Sequence, residues 1–243
     1  MVRILNPHIS VDCVIFGFDY RNLKVLLVEM NDENIAGSTH HSLKLPGDLI
    51  AENEGLEEAA ARVLCELTGL KDIYLKHFNV FGSPGRIQEG PDLEWLRKTS
   101  GMPVKRIVTV AYYALVKIEE SNTDSYEFKT HWLNVNDVPA LAFDHNEILG
   151  SALNSLRMQI RTEPLGFELL PQKFTKRQLQ QIYEVILGVK LDNRNFRKKI
   201  ANLKYIVSLN EKEKDVSHKP ALLYRFDKEL YMKNRKDNLG FVI

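Results

Sequence analysis

The sequence predicts an α+β fold in two domains, a sheet covered by helices and then a smaller helical domain closed by a β-hairpin. Three observations carry this reading. Two β-branched apolar runs open the chain and lead to an amphipathic helix stopped by a glycine. Two short capped helices and two further strands occupy the last third. The charges also divide between the parts: from Pro171 onward 17 Lys and Arg stand against 8 Asp and Glu, a net +9, whereas the first 170 residues carry 16 against 24, a net −8. The whole chain of 243 residues is close to neutral at +1. A basic domain joined to an acidic one points to a polyanionic partner.

Taken in order, "SVDCVIFGF" and "LKVLLVEM" flank "DYRN", which predicts a hairpin from Ser10 to Met30. In "EGLEEAAARVLCEL", Leu56, Ala60, Val63 and Leu67 recur at helical spacing and Gly69 ends the run, so a helix packs one face on that sheet. Further strands are expected in "YLKHFNVFG", "RIVTVAYYALVKI" and "KTHWLNV". The polar, turn-rich stretch between the first two, "SPGRIQEGPDLEWLRKTSGMPVK", reads as a long insertion or lid. "FDHNEILGSALNSLRMQIRT" then predicts a helix opened by a capping box of Asp144 and Glu147. Pro164, Gly166 and Pro171 mark a boundary, giving domains 1–163 and 164–243.

The basic part is the more specific. "PQKFTKRQLQQIYEVILG" holds a capping box of Thr175 and Gln178, an apolar stripe of Leu179, Ile182, Tyr183 and Ile186, and a terminating Gly188. Asp192 can cap a second helix, "NRNFRKKIANL", whose Phe196, Ile200 and Leu203 face inward. The strands "KYIVSLN" and "LLYRFD" complete a winged helix-turn-helix. Arg194 and Asn195 in the first turn of the second helix suit base edges, and Arg197, Lys198 and Lys199 extend the same basic surface. Lys219 and Arg225 in the wing suit phosphates, and Thr175 with Lys176 at the start of the first helix completes the candidate DNA contacts.

In the first domain, "LPGDL" at 45–49 and "ARVLCELTGL" at 61–70 follow, with one extra residue in the middle, the box G-x5-E-x7-R-E-U-x-E-E-x-G-U, where U is bulky and apolar. Gly47, Arg62, Leu64, Glu66, Gly69 and Leu70 match it, and the domain resembles a Nudix domain. That resemblance implies three metal-binding acids after the arginine, yet Val63, Glu66 and Leu67 occupy those positions. Mg²⁺ demands several oxygen ligands in near-octahedral array, and one carboxylate does not supply them. Loss of hydrolysis is the expectation, with no metal and no cofactor. Asp12, Lys44, Glu66 and Arg86, polar residues on or beside otherwise apolar elements, are the candidates for holding a small effector instead.

Together the halves resemble the Nudix-related transcriptional regulators of bacteria over essentially the whole chain, "LPQKFTKRQLQQIYEVILGVKLDNRNFRKKI" being the strongest match. The resemblance implies a homodimer on double-stranded operator DNA, governed by a small ligand. The insertion ending "DLEWLRKTSGMPVKRIVTVAY" resembles the arabinose-responsive branch. The expected effector is therefore L-arabinose or a related pentose that releases the DNA, with an ADP-ribose-responsive regulator of NAD metabolism, or an active Nudix hydrolase with a basic tail, as alternatives. With 44% hydrophobic and 27% charged residues and no apolar run of membrane-spanning length, no membrane segment is expected. Two cysteines, Cys13 and Cys65, and the absence of an apolar leader point to the cytoplasm.

Overall fold

A computed structural model describes residues 4–30, 43–87, 90–118, 129–167, 169–217 and 219–236. Their contacts divide the chain into two compact units, one of residues 1–17 and 23–153 and one of residues 18–22 and 154–243. The fold class is α+β, an α/β/α sandwich followed by a winged helix-turn-helix.

In the first unit β1 (Leu5–Phe18) is the central strand, flanked by β2 (Leu23–Glu29) and by β6 (Val108–Lys117). The strands β3 (Leu43–Lys44) and β7 (Thr130–Asn134) pair with β2, β4 (Gly47–Ala51) pairs with β1, and β5 (Lys76–Phe81) pairs with β6 at an edge. Nine consecutive residues of β1, Ser10 to Phe18, are buried, because the strand is covered on both faces. One face is covered by α1 (Leu56–Thr68), whose Ala59, Ala60, Val63 and Leu64 pack on Val11, Cys13 and Ile15. At the start of α1 the Gly55 amide donates to the Glu58 carboxylate at 2.9 Å, and Gly69, in the left-handed region at φ 72°, ends the helix. Glu58 thus binds the Gly55 amide, and not Arg62 one turn along.

The insertion is not only turns. It contains α2 (Pro91–Ser100), and Leu93 packs with Leu49, Val104 and Ile107 in a satellite core. At the start of α3 (His145–Thr162), Asp144 supplies its carbonyl to the Glu147 amide while its carboxylate goes to Arg86, so the anticipated side-chain cap is replaced by a buried ion pair.

The second unit is built on α4 (Lys176–Leu187) and α5 (Asn193–Ala201). Thr175 and Gln178 form the capping box of α4, Gly188 ends that helix at φ 69°, and Asp192 caps α5 through the Asn195 amide. β8 (Phe174–Thr175), β9 (Ile206–Lys212) and β10 (Leu222–Phe226) form a three-stranded sheet in the order β8-β10-β9, and α6 (Lys228–Lys236) follows. Phe167 stacks on Phe226 of β10 at 4.5 Å between centroids, and Tyr183 of α4 meets Phe196 of α5 at 6.0 Å, so aromatic contacts join the segment before β8 to the sheet and the two helices to each other. No helix among the described residues is long and apolar enough to cross a membrane.

Candidate functional site

Alternation along β1 sends Val11, Cys13 and Ile15 toward α1 and Ser10 and Asp12 to the other face, where a cavity of about 250 Å³ lies. Gly47 stands opposite Asp12 in the β1–β4 register, and a Cβ there would collide with the Asp12 carboxylate. Glycine is what allows β4 to close over the acid. Lys44 donates from Nζ to the Gly47 carbonyl at 2.7 Å and sits 5.6 Å from the centroid of the Trp95 ring. Arg86 grips Asp144 through two bonds, Nε to Oδ2 at 2.8 Å and Nη2 to Oδ1 at 2.7 Å, and donates from Nη1 to Thr109 Oγ1 at 2.7 Å. His145 accepts the Leu45 amide on Nδ1 at 2.9 Å, which leaves the proton on Nε2, 3.5 Å from Asp12 Oδ1.

Burial sets the protonation of this cluster. It raises the Asp12 carboxyl to about 6, although Arg86, Lys44 and a bond from Thr109 act to lower it. Burial lowers the Lys44 ammonium, with Asp12 and Asp48 opposing. Burial, then the Lys44 charge, lowers His145 to about 3, so its imidazole is neutral at physiological pH. Leu49, Trp95, Leu96, Ile107 and Phe143 form the apolar part of the wall, and Asp48 and Glu29 add two further carboxylates to the lining. Asp92 of α2 accepts the Phe143 amide at 2.6 Å, and Phe143 adopts φ 57°, so the insertion helix holds this wall in a conformation that bulky residues seldom take. Asp12 and Lys44 side by side on the floor, beneath an aromatic wall, suit a small molecule with a flat apolar part and hydroxyl groups.

Of the four residues expected to hold an effector, Asp12, Lys44 and Arg86 line the cavity, whereas Glu66 does not. Glu66 lies on the outer face of α1, where it accepts from Arg62 Nη1 at 3.1 Å. Arg62 is also held by Glu54, Nε to Oε2 at 2.8 Å, and donates to the Leu49 carbonyl at 3.2 Å. Glu54 is seven residues after Gly47, one more than the box allows, so the extra residue lies in the turn before α1 and the box's first acid survives as the partner of Arg62. Val63 is buried in the α1 core and Leu67 is half-buried at the cavity wall. These residues do not fit Mg²⁺, and no group of three acidic, His or Cys side chains among the described residues could hold a metal ion. Trp95, Thr109, Phe143 and His145 join the cavity without any local sequence signal, except that Trp95 lies on an insertion that packs back on the sheet.

In the second unit Arg194, Asn195, Arg197, Lys198 and Lys199 are all exposed on α5, opposite the buried Phe196 and Ile200. Lys219 is exposed in the wing, and Arg225, also exposed, pairs with Asp227 at 3.0 Å. Lys176 is half-buried over the Tyr224 ring at 4.8 Å. Thr175 is 4% exposed and its hydroxyl receives the Gln178 amide at 3.2 Å, so it acts as a helix cap and offers no free hydroxyl to DNA.

The NUDIX domain model matches residues 6–152, more than half of the chain. The chain belongs to the Nudix family. The NrtR DNA-binding winged helix domain matches residues 166–226. Among curated proteins, the ADPR responsive transcriptional repressor NtrR of Acinetobacter baylyi is 29% identical over 226 residues, spanning 91% of this chain and 82% of that protein. An ADP-ribose pyrophosphatase of Methanocaldococcus jannaschii is 25% identical over 145 residues, 60% of this chain and 72% of that protein. Among solved structures, Shewanella oneidensis NrtR complexed with a 27mer DNA superposes with a TM-score of 0.68 at 25% identity, over 92% of this chain and 95% of that chain. These relatives overturn the assignment to an arabinose-responsive branch and to control of sugar utilisation. The similarity that runs along nearly the whole chain is to an ADP-ribose-responsive repressor, and the insertion that suggested otherwise is a packed helix forming part of the pocket wall.

Proposed function

We propose that this protein is a DNA-binding transcriptional regulator, acting as a homodimer, whose Nudix domain senses ADP-ribose and does not hydrolyse it. The observation that carries the reading is the pocket: Asp12 and Lys44 are buried on its floor under Trp95 and Phe143, while Val63 and Leu67 stand where the box requires metal-binding acids. Likeness to the A. baylyi repressor and to DNA-bound S. oneidensis NrtR supports it. The aromatic wall suits an adenine and the acid suits ribose hydroxyls, while Lys44 supplies the positive charge that a pyrophosphate needs. Arg86 is saturated by Asp144 and shapes the pocket through Thr109. The exposed side chains of α5 are the reading surface for operator DNA, Arg194 and Asn195 at base edges and Lys198 and Lys199 on phosphates, with Lys219 and Arg225 in the wing.

Two assays test this. Incubation with ADP-ribose in saturating Mg²⁺ is expected to yield no AMP and ribose 5-phosphate, whereas calorimetry is expected to show binding that is lost in Asp12→Ala. Turnover of about one per second or faster would restore the hydrolase reading.

A further inference from the structure

We propose that Arg21, in the turn between β1 and β2, is a DNA-binding residue that lies outside the winged-helix sequence and holds a backbone phosphate beside α4. The proposal rests on the regulator reading and extends its DNA surface. Residues 18–22 belong to the same compact unit as the winged helix. Asp19 folds this turn by accepting the amides of Arg21 at 3.0 Å and Asn22 at 2.8 Å, and Tyr20 takes φ 68° at its tip. Gln181 of α4 donates from Nε2 to the Tyr20 carbonyl at 2.6 Å, which fixes the turn against the helix.

The result is a groove of about 840 Å³ rimmed by Arg21, Arg177, Lys190 and Arg197, all exposed. Its acid, Glu184, is already engaged, accepting the Leu191 amide at 2.9 Å and Gln180 Nε2 at 3.1 Å and lying 3.6 Å from Lys190 Nζ. Gln180 also donates to the Leu191 carbonyl at 3.0 Å and to Asn193 Oδ1 at 2.7 Å, so the turn that sets α5 against α4 forms the groove's rigid floor. Three guanidinium groups around one such groove match the geometry and charge of a phosphodiester. Arg197 ties the groove to α5, whose other exposed residues face DNA in the reading above, so a duplex on α5 brings its backbone alongside.

The test measures the full chain on a random-sequence duplex as salt is varied, because binding to a phosphate is independent of sequence. Arg21→Ala is expected to make the dependence of log affinity on log salt shallower by about 0.9 for each phosphate that is no longer neutralised, or about 1.8 in a dimer. Gln181→Met, which releases the turn, should move the slope in the same direction by less, and Lys71→Ala in the first unit should leave it unchanged. ADP-ribose binding should be the same in all three. An Arg21→Ala slope equal to wild type overturns the proposal and leaves the regulator reading intact. Inorganic phosphate competing with DNA beyond its ionic strength, and losing that effect in Arg21→Ala, would also overturn it in favour of a free-anion site. A wild-type chain that binds no duplex at low salt overturns both readings together.

Discussion

The pocket of the first unit and the basic face of the second both concentrate charge, and they hold it in opposite ways. Around the pocket the ionic groups are buried and already answered: Arg86 by Asp144 and Thr109, Lys44 by the Gly47 carbonyl, Asp12 by His145 and its cationic neighbours. On α5 the arginines and lysines are exposed around two buried anchors, Phe196 and Ile200. Charge that has left water is coupled to folding, while charge that remains in water is available to a partner. Substitutions that break a buried ion pair of the pocket should therefore cost stability and ligand together, and those of the exposed α5 charges should cost DNA affinity alone.

The buried ion pair of Arg86 and Asp144 tests the first half of that contrast. Arg86→Ala strands the Asp144 carboxylate in a buried position and should destabilise the first unit by about 3–5 kcal/mol in chemical denaturation. Asp144→Asn in the same chain should recover part of the loss, and equal stability of Arg86→Ala and wild type would show the pair to be unimportant. Phe196→Ala, a cavity beneath the basic face, should cost about 3–5 kcal/mol and abolish binding to every duplex, which separates the anchor from the readers around it. Arg194→Ala should cost about 1–3 kcal/mol on the operator and far less on random DNA, with the denaturation midpoint unmoved. A shifted midpoint would mean that α5 uses this side chain for its own packing.

A smaller effect concerns pH. His145, lowered to about 3 from the ordinary value near 6.5, takes up a proton more readily when unfolded, so its contribution is complete above pH 6.5 and is lost as pH falls toward 3. Asp12, raised to about 6, acts oppositely: the folded state holds its proton more tightly, so stability falls as pH rises from about 4 to 6. Asp12→Asn should therefore raise stability at pH 7 by up to about 3 kcal/mol and flatten the profile between 4 and 6. His145→Gln should reduce the acid lability between 6.5 and 3. Unchanged pH profiles in both variants would mean that the cluster is wetter than its burial suggests.

The same contrast explains what could be read in the sequence. The caps at Thr175 and Asp192, the glycine stops at Gly69 and Gly188, and the outward face of α5 depend on neighbours within a few residues, so spacing alone reveals them. The pocket depends on partners far apart. Arg86 meets Asp144 across 58 residues, and that bond takes away the carboxylate which local pattern assigns to a helix cap. Leu45 meets His145 across 100 residues. The helix α2 is hidden in the sequence because Gly90, Pro91 and Gly101 at its ends read as turns, and its packed side chains are few. Glu66 matches a motif position but faces outward to Arg62, since the box's surviving acids bind their own arginine and not a ligand.

Titrating the DNA-bound protein with ADP-ribose and, separately, with L-arabinose shows whether the pocket senses ADP-ribose and the basic helix reports it. ADP-ribose is expected to shift the DNA affinity at least several-fold and arabinose is not, and Asp12→Ala is expected to bind DNA normally but no longer respond. Such a shift requires ADP-ribose to bind the DNA-competent and incompetent states unequally. ADP-ribose that leaves the affinity unchanged at saturation, or an equal response from Asp12→Ala, would mean that this pocket does not govern DNA binding.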